Sequence, residues 1–349
     1  MLSRVADSIY WIARYMERAE NLARLLLANQ SLMLDAGSGF HADSSLWQSI
    51  LMTTGDEEGY AAIYPVVRGD NIDEYLSVRA DNPNSILNCI RTARENARMV
   101  RDQIPDEVWR AVNDLHLLVS GDKGMRMHDQ TPADYYETIM QGSNLFQGAA
   151  RATMMRNEAW HFLQIGTYLE RADKTSRLID ACSEVPLVMP PHPDARPLRW
   201  QALLQSCSAW NGYRGMHSEL VPVHVLDFLF LSDRFARSVR FCLKAVDESL
   251  GRLLPPPIAQ SANINPVRLC GQLRASLDYG TIDEIIATGM HEYIDQLQAK
   301  LNALGAAIFE THVLYADLTK VSTPTLAQHM VPAGAWHTGL DIQVQQQQQ

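Results

Sequence analysis

The chain has 349 residues, 46% of them hydrophobic and 20% charged, with a formal net charge of −10. This is the balance of a globular protein able to bury a sizeable core. A field of that sign repels phosphate backbones, which excludes general nucleic-acid binding but leaves room for a local basic patch that holds a small anion.

The N-terminus is charged throughout and lacks the apolar core of a signal peptide. No run reaches the roughly 18 apolar residues of a membrane span, so a cytoplasmic, membrane-free protein is expected. Leu2, Val5, Ile9, Ile12, Met16, Ala19, Ala23 and Leu26 fall alternately three and four apart. That spacing predicts a long helix with an apolar seam down one side. A Gly- and Ser-rich loop over 36–45 and a less regular stretch to about Val67 follow. Helix starts are expected at Asn71 and at Pro83, whose fixed φ suits a first turn. The Arg-dense stretch Ser85 to Arg101 reads as helix, and Pro105 with Asp106 and Glu107 opens another that ends near Gly121. Gly121 to Thr131 reads as a loop, and Pro132 starts the next helix. Gly142, Ser143, Asn144 and Gly148 suggest a break in it.

Ala149 to Cys182 reads as strongly helical. The Pro-rich stretch Val185 to Pro197 is the best linker candidate. Further helices are expected near Leu198–Tyr213, Val223–Phe230, Phe235–Leu250 and Pro266–Leu277, and a last one over Ile282–Ala316, with a second Pro-rich connection at Pro255–Pro266. Strand-like alternation is scarce. The fold class is therefore all-α, a multi-helix bundle. A single helical domain is expected over 1–320, and a disordered tail over 321–349 that ends in glutamines. The five cysteines (Cys89, Cys182, Cys207, Cys242 and Cys270) are odd in number and show no CxxC spacing. They are expected to be free, mostly buried thiols.

The first helix has a second copy. Tyr15-Met-Glu17-Arg18-Ala19-Glu20 aligns with Tyr168-Leu-Glu170-Arg171-Ala172-Asp173, and the apolar seam recurs at Phe162, Ile165, Leu169, Ala172, Ser176 and Ile179. Seam, charges and tyrosine repeating together point to duplication of a helical unit carrying a Tyr-x-Glu-Arg-Ala motif, with pseudo-repeats at about 1–150 and 151–320. Arg94–Arg98 and Ser232–Arg237 are looser echoes. Glu20 with Arg24, and Asp173 with Arg177, are acid-first i,i+4 pairs that need no functional explanation. Glu17 and Arg18 point about 100° apart and cannot simply pair with each other. If the copies pack seam to seam, Glu17 meets Arg171 and Glu170 meets Arg18 about a pseudo-two-fold axis. Tyr15, Glu17, Arg18, Tyr168, Glu170 and Arg171 thus form a candidate charge centre, either a ligand site or a register-setting pair.

Other constellations are weaker. Glu158-Ala-Trp-His161 has di-metal carboxylate spacing but no copy on the first helix, so neither a metal site nor a cofactor is expected, and His161 and His312 read as core or cap residues. No GxSxG elbow and no phosphate loop is present. Arg91, Arg94, Arg98 and Arg101 form one stripe diluted by Glu95 and Asp102. It reads as a solvated face, with Arg94 and Arg98 as secondary anion-binding candidates.

The motifs YMERAEN and YLERADKTSRL, with RENARMVRDQIPDEVW between them, resemble the bacterial alpha-E domain family, which is all-helical and named for its Glu-Arg motifs. The likeness extends to GAARATMMRNEAW, DFLFLSDRFARSVRFCL and LNALGAAIFETH, from Met1 to about Tyr315. It departs at Asp233-Arg234-Phe235-Ala236, where an acid followed by Phe-Pro is usual, which touches only a local helix start. The resemblance implies partners: a circularly permuted ATP-grasp protein, with a transglutaminase-like protein and sometimes a proteasome-related peptidase nearby. It implies an accessory role in an amide-ligase system for peptide synthesis or tagging, binding the ligase or its substrate. Two alternatives stand beside it. One is an enzyme of amide transfer or hydrolysis, with Glu17 or Glu170 as a general base whose pKa burial raises. The other is a purely structural interaction protein.

Overall fold

A computed structural model describes residues 3–36, 44–184, 195–253 and 265–314, and among these there is no strand. The long helix α1 spans Ser3–Ala36. Helices α2 (Ser44–Thr54), α3 (Glu57–Ala61), α4 (Gly69–Ser77), α5 (Ile86–Met99), α6 (Asp106–Ser120), α7 (Asp122–Gln130) and α8 (Pro132–Thr153) follow it. Helix α9 covers Glu158–Glu184. After it come α10 (Ala195–Ser206), α11 (Trp210–Arg214), α12 (Pro222–Leu231), α13 (Val239–Leu250), α14 (Pro266–Tyr279), α15 (Ile282–Thr288) and α16 (Met290–Phe309), closed by a π turn, Glu310–Leu314.

The centre of the molecule is the pair α1 and α9. Gly166 lies against Tyr10 and Ala13, Glu170 against Arg14 and Arg18, and Arg171 against Glu17. The two helices therefore run side by side in the same direction. A Cβ at Gly166 would stand 2.4 Å from the Tyr10 carbonyl oxygen, so glycine is what allows this close approach. Helices α5 and α8 flank α1, and α13 and α16 flank α9. The seam residues Ile9, Ile12, Met16, Ala19, Ala23 and Leu26 are all buried. So are Glu17, Glu20 and Asn21 on the same helix, because α1 is covered on nearly every side rather than along one stripe.

The irregular stretch expected before Val67 contains α2 and α3. Pro83 lies ahead of α5 rather than in its first turn. Ser85 caps α5 instead, its hydroxyl accepting from the Asn88 N–H. Gly121–Thr131 is not a loop: α7 fills it, with Asp122 in the first turn and His128 buried with its Nε2 3.0 Å from an Asp73 carboxylate oxygen. The break expected around Gly142 is absent, since α8 runs through to Thr153. Gly142 serves packing there, because a Cβ would stand 2.7 Å from a Leu115 methyl. Helix α8 does end before Met154, which splits the stretch read as helix from Ala149. The last expected helix is likewise two, broken at Gly289, whose φ is +98°. The Pro-rich linker up to residue 194, the second Pro-rich connection over 254–264 and the tail fall outside the described residues.

Elements recur at a spacing of 153 residues, well beyond the α1/α9 pair. Helix α3 maps onto α11, and the starts of α4 and α5 onto those of α12 and α13. Tyr60 donates to the Val66 carbonyl at 3.0 Å and accepts from the Arg68 N–H. Tyr213 does the same with Glu219 at 2.8 Å and with Val221. Ser238 caps α13 as Ser85 caps α5, and Cys242 is buried as Cys89 is.

Candidate functional site

Both cross-pairs are formed. Arg171 grips Glu17 with two parallel bonds, Nε to Oε1 at 2.9 Å and Nη2 to Oε2 at 2.7 Å. Arg18 grips Glu170 through Nε at 2.8 Å and Nη2 at 3.3 Å. Each helix thus supplies the acid for the other's base, in the planar two-point geometry that guanidinium and carboxylate favour. Arg18 lies 5.4 Å from the Tyr15 ring centroid and Arg171 5.2 Å from that of Tyr168, so each motif tyrosine adds a cation–π contact to its own arginine.

Further groups join the centre that no reading of the motif alone names. Arg237, just ahead of α13, donates to Glu17 Oε1 and to Glu20 Oε1, both at 2.6 Å. Glu20 also accepts from Ser143 Oγ at 2.6 Å and from Arg24. It is therefore a buried member of the centre as well as half of the expected i,i+4 pair with Arg24. Gln147 of α8 reaches both carboxylates at 3.2 to 3.3 Å. On the other side Glu170 takes Arg14 as well, and Lys174 Nζ stands 3.8 Å from it. Asp173 holds Arg177 at 3.1 Å, the expected i,i+4 pair.

The electrostatics follow from the partners. Burial alone would push the Glu17 carboxyl up, but Arg171 and Arg237 outweigh it and hold the group down at about 2. Burial is likewise outweighed at Glu170, where Arg14, Arg18 and Lys174 hold the carboxyl well below the usual range. Neither is the raised-pKa base that the enzyme alternative requires. Both are also sealed, at 1% and 0% exposure. What this arrangement does chemically is fix two helices in register through carboxylates that are fully partnered by arginine.

The other candidates disperse. Arg94 pairs with Glu95 at 2.5 Å and Arg98 with the same carboxylate at 2.9 Å, and Arg94 and Arg101 sit over the Trp109 ring. Among the described residues, Glu158 and His161 belong to no cluster of metal-ligating groups. The one such cluster is Asp180, His291 and Asp295. There each imidazole nitrogen of His291 faces a carboxylate, at 3.0 and 3.5 Å. The five cysteines are free. Burial pushes four of the thiols up to about 12 and Cys182 to about 11, which leaves them unreactive.

Two cavities open on the centre from its two flanks. One, about 30 Å³, is lined by Arg18, Asn21, Thr54, Asp56, Asn84 and Lys174, with leucines. The other, about 370 Å³ and open to solvent, is lined by Arg24, Arg151, Arg171 and Arg237 with Gln147, Ser208 and Phe235. The sequence alone does not place Arg151 or Arg237 at the site, and it marks Arg24 only as the i,i+4 partner of Glu20. The signal that would have found Arg237 is the spacing: Ser85…Cys89 recurs as Ser238…Cys242, and Arg237 then stands where Asn84 does.

An all-helical chain whose central helices exchange the acid and base of a repeated Glu-Arg pair defines a class by that motif. Residues 1–313 match the Alpha-E family, described as a predicted alpha-helical domain with a conserved ER motif, and the chain belongs to it. It is 25% identical over 346 residues to the uncharacterized protein Rv2567 of Mycobacterium tuberculosis strain H37Rv, and equally so to the uncharacterized protein Mb2597 of Mycobacterium bovis. The match takes in 95% of this chain but 37% of each relative, so the chain spans just over a third of their length. No solved structure matches it. Among the described residues, no helix is long and apolar enough to cross a membrane.

Proposed function

We propose that the chain is a non-catalytic, accessory component of an amide-ligase system for peptide synthesis or tagging in the bacterial cytoplasm. It binds a circularly permuted ATP-grasp protein or holds that ligase's substrate, and a transglutaminase-like protein is a second candidate partner. The partnership rests on the likeness of the motifs. The non-catalytic part rests on one observation: Glu17 and Glu170 are sealed from solvent, doubly bonded to arginine and held in the ionised form. A carboxylate so held has little affinity for a proton and no access to a substrate, so it cannot serve as the general base. The 153-residue recurrence of helices, caps and tyrosine bonds supports the reading that one helical unit was duplicated to build this scaffold.

The test is purification of the tagged full-length chain from its own host, followed by mass spectrometry, with ligase turnover measured in the presence and absence of the chain. Co-purification of the ATP-grasp protein, with turnover that falls when the chain is left out, is the expected result. No ligase in the eluate and unchanged turnover would refute the proposal.

A further inference from the structure

The larger cavity differs from the rest of the molecule in its charge. Its wall takes guanidinium groups from four separate segments: Arg24 of α1, Arg151 of α8, Arg171 of α9 and Arg237 ahead of α13. No carboxylate lines it. The carboxylates that partner three of these arginines, Glu17 and Glu20, lie buried beneath them. Four guanidinium groups over two carboxylates leave two positive charges uncompensated, in a protein that is otherwise strongly anionic.

Arg151 stands apart from the other three. It is exposed, and among the described residues it forms no ion pair. Its Nη2 donates to the Tyr168 hydroxyl at 3.2 Å. The other three arginines line the cavity while donating to Glu17 or Glu20 and, for Arg24 and Arg171, also to Ser208 Oγ and the Ala236 carbonyl. Convergence from four directions suits a tetrahedral oxyanion, which takes hydrogen bonds all round, better than a planar carboxylate, which one arginine can satisfy in its own plane. A volume of about 370 Å³ exceeds that of a bare phosphate and falls in the range of small-molecule sites. The half-buried Phe235 offers an apolar wall beside the charges.

We propose that this cavity is a binding site for a dianionic phosphate group carried on a small organic body, with Arg151 as the residue that closes on it. The site stands whether or not the chain serves a ligase. The probe is inorganic phosphate, titrated calorimetrically into the full-length chain, with succinate, a dianion whose two carboxylate groups are each planar, for comparison. Saturable phosphate binding is expected. It should weaken about tenfold or more in Arg151→Gln, the loss typical of a charge-assisted hydrogen bond, and disappear in Arg151→Glu. Arg94→Gln, on the paired stripe elsewhere, should bind as wild type does. Because Arg151 is exposed, both of its variants should keep the wild-type melting temperature, which is measured alongside. Absence of saturable binding to wild type, equal affinity in Arg151→Gln and wild type, or succinate binding as tight as phosphate would each overturn the proposal.

Discussion

The two flanks of the α1/α9 pair are built alike and charged differently. On one, Arg18 faces Asn84 and the cavity holds Asp56. On the other, 153 residues on, Arg171 has Arg237 beside it, and Ala209 stands where Asp56 did. The second flank lacks the acid and has an added base at these two places, and its cavity is open and cationic while that of the first flank is narrow. The backbone matches closely: helix starts, serine caps and tyrosine bonds all keep the spacing. The comparison teaches that like packing demands like apolar and capping residues, whereas the polar residues at the rim differ and carry whatever distinguishes the two sides.

The strongest way to break the comparison is to remove an acid at its axis. Glu170→Gln leaves Arg14, Arg18 and Lys174 without their buried carboxylate and should cost about 3–5 kcal/mol. Glu17→Gln should cost a similar amount by stranding Arg171 and Arg237, with urea unfolding at neutral pH as the check. Acid should produce the same failure in wild type. The folded pKa of Glu17 is held at about 2, below the ordinary 4.5, so its stabilisation is fully present above pH 4.5. It is lost as pH falls from there through about 2, by on the order of 1–3 kcal/mol. The Glu17→Gln variant should lose less stability over that window. Parallel acid profiles for variant and wild type would show that the pair contributes nothing.

How much of this was legible beforehand follows from the same contrast. The seam and the Glu-Arg pair were readable, because the helical period and the 100° step between neighbours leave few ways to pair Glu17. That the acid and base are exchanged between helices follows once the seams face each other. Arg237 and Glu20 were not readable as members of the centre. Their roles depend on where a distant cap, Ser238, delivers the chain, and on α1 being covered on nearly every side. Helix α7 was missed because a polar stretch rich in Gly and Asp resembles a turn until it is seen packed against α8. The spacing of Trp47-Gln48…Gly59-Tyr60 against Trp200-Gln201…Gly212-Tyr213 held the longer repeat all along.

Asp56 offers a smaller test of the first flank. Its Oδ1 accepts from Asn84 Nδ2 at 3.0 Å, while Oδ2 is buried with no hydrogen-bond partner placed among the described residues. Burial raises its pKa above the ordinary 3.8 against the pull of Asn84 and of the nearby cations. The sign is that of a raised acid: the stabilisation is present below pH 3.8, where the group is neutral in both states, and is lost as pH rises through the folded value. Asp56→Asn keeps the acceptor for Asn84 and removes the buried charge. It should stabilise the fold at neutral pH by about 1 kcal/mol and lose that advantage in acid. A variant less stable at neutral pH would mean that the carboxylate is better solvated than its orphaned oxygen implies.

The finest distinction between the flanks is one backbone residue. Gly55 and Ser208 occupy equivalent places and both have positive φ, +74° and +51°. Glycine adopts that conformation freely, whereas a residue with a Cβ pays roughly 1–2 kcal/mol for it. A Cβ at Gly55 would meet nothing within 4 Å, so Gly55→Ser isolates the backbone cost and should destabilise by about 1 kcal/mol. Ser208→Gly relieves the same strain but gives up the hydroxyl that accepts from Arg24 Nη1. Its net gain should be only about 0.5 kcal/mol. Thermal unfolding of the two variants measures the difference. If Ser208→Gly instead destabilises, the hydroxyl's hold on Arg24 outweighs the strain, and the left-handed serine is kept for the cationic cavity it borders.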